Sequence, residues 1–223
     1  MSLQLLELTT DTKDLLLKNL NDKQHGLVRL ELVSIPGPFD LSIFLECLKS
    51  PTLKYLDVSN NDFDLSLSRR HRKNIRKYIS QSYLHILRMS EMRSLNSIVV
   101  GELFSGIRKS RFLKELIFTN NRKCLPVSSF HQCLPSLAEN KSLLHINFKG
   151  NVFISASLTV FSSICSLCLW DCQITFDVTK LTTLVSQSRI QNLELGKNHL
   201  ILSKTAIENL FLHSSLTEIF GHG

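Results

Sequence analysis

Between Leu53 and Phe63 the chain reads LKYLDVSNNDF, with apolar side chains at Leu53, Leu56 and Val58, an amide at Asn61 and an aromatic ring at Phe63. The spacing returns as Leu113, Leu116, Phe118, Asn121 and as Leu143, Ile146, Phe148, Asn151, Phe153. With the first apolar residue of each unit as its start, units begin at Leu3, Leu27, Leu53, Leu84, Leu113, Leu143, Ile164, Ile190 and Leu216. The steps are 24, 26, 31, 29, 30, 21, 26 and 26 residues. Self-similarity at such a period marks a repeat architecture: one unit cannot bury its apolar face alone, and stacking closes a continuous core.

Most steps leave room for a short strand, a turn and a helix of about two to three turns. Helical spacing follows the strand in several units, as Leu41, Phe44, Leu45 and Leu48, as His71, Ile75, Tyr78 and Ile79, and as Ala206, Ile207, Leu210 and Phe211 behind a Ser203 cap. In the fourth unit Leu95, Ile98 and Val100 also fit half the motif, but a start at Leu95 leaves only 18 residues before Leu113. Leu84 is therefore the preferred start. The short unit after Leu143 returns through VFISASLTVFSS, whose β-branched residues predict an extended or 3₁₀ outer wall. Ile35, Met92 and Cys172 stand where four units carry Asn (Asn61, Asn121, Asn151 and Asn198), whose amide can satisfy backbone groups left unpaired by the turn. Neither end shows a polar capping unit, so the expectation is frayed ends, pairing with another chain, or a longer protein.

The pattern resembles the leucine-rich repeat, LxxLxLxxNxL, and the unit lengths are similar to those of ribonuclease-inhibitor-like members. That resemblance implies an α/β solenoid of about nine repeats forming a single domain over 1–223, with a concave parallel sheet inside and helices outside. It also implies protein–protein recognition through the concave face and its rim. It extends to leucine-rich-repeat effectors that intracellular bacterial pathogens secrete into host cells; the alternative is a sensing or autoinhibitory region of a larger eukaryotic receptor.

At 223 residues and 43% hydrophobic, the chain can fill a sizeable core. Its apolar runs stop well short of the roughly 18 residues of a membrane span, and MSLQLLELTTD lacks the features of a secretory leader. Six cysteines without dense regular spacing fit reduced thiols in a cytoplasmic protein. The eight glycines form no GxGxxG or GxxxxGK[ST], and HExxH and GxSxG do not occur, so the reading is a non-enzyme without cofactor. Cys165, Cys168 and Cys172 have metal-like spacing, but on a strand the first two point to opposite faces and the third fills an Asn slot. No metal is expected.

Residues between the leucines of each LxxLxL should point out of the sheet and align in columns. The middle column reads Glu7, Glu31, Asp57, Arg88, Ile117, Asn147, Cys168, Glu194, Phe220. Flanking positions supply Arg29, Tyr55, Ile86, Glu115, His145, Lys149 and Trp170. The candidate partner-binding set is Arg29, Glu31, Tyr55, Asp57, Arg88, Glu115, His145, Lys149, Trp170 and Glu194. Glu31 and Asp57 form an acidic strip suited to a basic partner, and Trp170 is a candidate anchor beside open space at Gly196. The formal charge of +7 concentrates in Arg69, Arg70, Arg72, Lys73, Arg76 and Lys77, on the outer helix of the third unit. That segment reads either as a solvated helix face or as an attachment site for nucleic acid or an acidic membrane.

Overall fold

Apolar residues alternating with polar ones build short strands that bury one face, and the chain returns to start the next strand beside the last. The computed structural model describes residues 1–5, 7–24, 26–63, 69–122, 134–153, 162–201, 203–212 and 216–220, with backbone alone at 69–72, 180, 204, 206, 207, 211 and 220. It is an α/β structure with a nine-stranded parallel sheet whose strands follow chain order: Ser2–Leu5, Arg29–Leu32, Tyr55–Asp57, Ile86–Arg88, Glu115–Ile117, His145–Asn147, Ser166–Cys168, Asn192–Glu194 and Glu218–Phe220. Helices Thr10–Asn21, Leu41–Lys49, Arg69–Gln81, Ser97–Ile107, Val178–Ser186 and Lys204–Leu212 lie between strands, and 134–138 are also helical. None of these helices is long and apolar enough to cross a membrane. Residues 154–161, expected to be extended or 3₁₀, lie outside the described residues.

The register stacks one inward residue per strand: Leu3, Leu30, Leu56, Leu87, Leu116, Ile146, Leu167, Leu193 and Ile219. From Leu30 to Leu193 these are at most 2% exposed. The fourth strand starts at Ile86, as a unit starting at Leu84 requires, and Leu95 instead sits buried just before the helix capped by Asn96. The first strand departs from the sequence reading. Leu3, not Leu6, pairs with Leu30, so Gln4 and not Glu7 aligns with Glu31. SLQLLEL carries two overlapping alternations, and the Thr9 side chain, accepting from the Thr12 N–H, starts the helix early enough to draw the strand toward the terminus.

Helices bury their inner stripes against these leucines: Leu16 and Leu20, then Ile75 and Ile79, then Val100, Leu103, Phe104 and Ile107. Phenylalanine rings fill the space beyond the strands, with Phe39–Phe63 centroids 5.1 Å apart and Phe104–Phe118 5.5 Å apart, both edge-to-face. Fully burying each such side chain contributes about 1.5–3 kcal/mol before the cost in chain entropy. Gly106 lets two helices approach, because a Cβ there would meet Ile79 and the Arg76 carbonyl.

Past seven of the nine strands, from Arg29–Leu32 to Asn192–Glu194, the chain turns through a left-handed residue. Ser34, Asn60, Glu91, Asn120, Gly150, Asp171 and Lys197 all have φ between 54° and 72°. Each directly precedes a slot filled by Ile35, Asn61, Met92, Asn121, Asn151, Cys172 or Asn198. The slot asparagines staple neighbouring turns. Asn61 Oδ1 accepts from the Ile35 N–H at 2.9 Å, and its Nδ2 donates to the Leu32 and Val58 carbonyls. Asn121 accepts from the Met92 N–H, Asn151 from the Asn121 N–H and Asn198 from the Cys172 N–H. Non-Asn slots therefore still donate to the next amide. At Cys172 the thiol replaces the amide as donor to the Phe148 carbonyl, at 3.2 Å.

Candidate functional site

The sheet face opposite the core carries the residues that alternate with the inward leucines. Its best-organised part spans three strands. Arg29 pairs across to Tyr55 and Ile86, and Glu31 to Asp57 and Arg88. The Arg29 guanidinium lies 3.7 Å from the Tyr55 ring centroid and donates to Glu31 Oε1 through Nη2 at 2.6 Å and Nε at 2.9 Å. Stacking and chelation fix a side chain that otherwise has many rotamers. Burial, and then the Asp57 charge, push the Tyr55 phenol above its ordinary pKa, so it stays protonated.

The acidic strip is corrected by this geometry. Asp57 is only 6% exposed; its Oδ1 accepts from the Ser59 N–H at 2.9 Å, and Arg88 Nε lies 3.5 Å from Oδ2. A short carboxylate at the last strand residue reaches back to the turn, as Asn147 does toward the Lys149 N–H. Glu31 is held by Arg29. Both acids thus have cations beside them, and the outermost charges of this cluster are Arg29 and Arg88.

Further along, Glu115 and His145 are paired neighbours continuing the Tyr55–Ile86 column, Glu115 half-buried and His145 exposed. Glu194 accepts a hydrogen bond from the Cys168 thiol at 3.2 Å, and burial pushes that thiol up to about 12. Trp170 is half-buried, and the space beside Gly196 is not open: a Cβ there would overlap ring carbons Cζ3, Cε3 and Cη2 of the indole. Lys149 Nζ sits 5.7 Å from the indole. The ring therefore lies against the glycine and stays only partly exposed.

The structure separates the basic helix from this face, because Ile75 and Ile79 turn its other side into the core. Arg76 is bound to Glu102 at 2.6 Å, Lys73 and Lys77 are exposed, and the side chains of Arg69, Arg70 and Arg72 lie outside the described residues. Among the described residues no group of three His, Cys, Asp or Glu side chains is placed to hold a metal. One feature was not legible in the columns: a depression of about 540 Å³ at the left-handed turns, lined by Asn60, Glu91, Met92, Arg93, Asn120 and Arg122. Arg93 donates to Asn60 there, and Asn120 to Glu91. No protein-family model matches the chain, and a search of curated proteins finds no match.

Proposed function

We propose that the chain is a leucine-rich-repeat solenoid of about nine units, its open sheet face concave, and that this face and its rim recognise a protein partner. The observation that carries the reading is the Arg29–Tyr55–Glu31 cluster beside Asp57 and Arg88. A cation stacked on an aromatic ring and held by a carboxylate is an ordered polar surface, and ordering it in advance lowers the entropy cost of binding. Tyr and Arg are the residue types that most often dominate interface energetics. With Arg29 and Arg88 outermost, the partner surface that fits is one offering carboxylates between apolar groups.

The test is affinity capture from a eukaryotic lysate, which suits both an effector acting in a host cell and part of a larger receptor. The double variant Tyr55→Ala with Arg88→Glu should lose the partner that the parent captures. Lys73→Glu with Lys77→Glu, on the outer helix, should keep it. Identical capture by all three chains, each with the parental melting curve, would remove the open face from the account.

A further inference from the structure

A second surface lies at the edge where the chain enters its strands. Lys54, His85 and Lys114 each precede a strand and are joined in register, the His85 N–H donating to the Lys54 carbonyl at 2.7 Å and the Lys114 N–H to the His85 carbonyl at 2.8 Å. They therefore form a row with one residue per strand, about 4.8 Å apart. Beside it is a depression of about 470 Å³ lined by Arg108, Lys109, Arg111, Lys114 and Lys141, with Glu139 as the one carboxylate among the described lining residues. Glu139 is paired to Arg108 at 2.5 Å, so five cations face one acid.

The His85 imidazole registers this field. Burial first, then the charges of Lys54 and Lys114, hold its pKa below the ordinary value. Arg108 and Lys109 follow the helix Ser97–Ile107, where cations complement the carbonyl end of the helix. That role does not account for Arg111, Lys114, Lys141 or Lys54.

Two aromatic side chains stand in the same edge. Tyr83 and Phe112 lie two residues before His85 and Lys114, are 43% and 39% exposed, and have ring centroids 4.9 Å apart at an interplanar angle of 32°. Lys54 Nζ lies 4.9 Å from the Tyr83 ring. Flat rings left in water beside cations match a ligand that alternates anionic phosphates with planar bases.

We propose that this edge binds single-stranded nucleic acid, with backbone phosphates at the Arg111–Lys114–Lys141 depression and a base stacked on the Tyr83–Phe112 pair. The site is separate from the open sheet face and stands or falls independently of it. An acidic peptide would use the cations without needing a planar stack, and an anionic lipid surface would use cations and rings alike, so competition by each separates them from nucleic acid.

The experiment is fluorescence anisotropy of a labelled oligouridylate of about 12 nucleotides with the full chain, between about 50 and 200 mM salt. Arg111→Glu with Lys114→Glu should weaken binding about tenfold or more and flatten the salt dependence. Phe112→Leu, which stays apolar but loses the planar ring, should weaken it roughly fivefold or more. Lys73→Glu with Lys77→Glu should leave it nearly unchanged. Each variant is checked by thermal melting, and Tyr83→Leu makes the same comparison if Phe112→Leu does not fold. The proposal is overturned by lack of saturable binding, by an unchanged affinity on loss of the ring, or by polyglutamate or phosphatidylserine vesicles competing as well as unlabelled oligouridylate.

Discussion

Replacing Asn151 by Ala removes a side chain that is 2% exposed and whose amide makes three hydrogen bonds. Oδ1 accepts from the Asn121 N–H at 3.0 Å, and Nδ2 donates to the Phe118 carbonyl at 2.6 Å and the Phe148 carbonyl at 2.7 Å. The losses are unequal. The Phe148 carbonyl also accepts from the Asn151 N–H and the Cys172 thiol, so it keeps partners. The Asn121 N–H loses a buried acceptor, which costs about 1–3 kcal/mol, and the bond to Phe118 adds a net of about 0.5–1.5 kcal/mol. The expected loss is about 2–4 kcal/mol, read by urea unfolding as a lower midpoint at unchanged slope. Asn151→Asp should be worse than Ala near neutral pH, because it sets a carboxylate against two carbonyl oxygens. Its acid pKa is thereby raised, so this penalty should shrink as pH falls toward the ordinary aspartate value and the protonated acid can donate. A loss under about 1 kcal/mol for Asn151→Ala, with the slope unchanged, would refute the view that the amides staple the turns.

Gly106→Val should lower stability by about 1–3 kcal/mol, since the added carbons meet Ile79 and the backbone of Arg76 where two helices touch; a melting curve matching the parent would refute that contact. Gly196→Ala should push the indole of Trp170, the single tryptophan, into water and shift its emission to the red, whereas unchanged emission would place the ring elsewhere. For Asp40, burial raises the carboxyl pKa, but hydrogen bonds from Lys13 and Ser42 outweigh it and leave the folded value below the ordinary one. Its contribution is therefore present above about pH 4 and lost as pH falls through the folded value, so parent and Asp40→Asn should melt differently at neutral pH and converge in acid. A gap that is constant across pH would contradict this.

The leucine spacing located the inward residue of eight strands from Leu30 to Ile219, because burial on one face of a pleated strand demands that alternation. It misplaced the first because two alternations overlap in SLQLLEL, and the choice rests on a helix cap downstream of both. Side-chain direction at the face was legible; side-chain partnership was not. Nothing in YLDVS says that Asp57 folds back onto Ser59, and nothing in LWDC says that the indole reaches Gly196 in the next unit. The basic edge escaped for a related reason. Lys54, His85 and Lys114 stand just before the strand in three different units, so they become a row only when the position preceding each strand is aligned. That alignment is available from sequence, and it would also have drawn Tyr83 and Phe112 together.

In the main sheet each strand bonds only to the strands before and after it in the chain, and paired residues are 21 to 31 positions apart. Loop-closure entropy changes only slowly over that range, so no one pairing is much harder to form than another. Folding can then begin at any adjacent pair and spread in both directions, each added strand docking on a finished neighbour. Unfolding should run the other way, peeling inward from Ser2–Leu5 and Glu218–Phe220. Amide exchange should accordingly be slowest near Glu115–Ile117, the central strand with four strands on each side, and quicken step by step through Ile86–Arg88 and His145–Asn147 toward the two outermost strands.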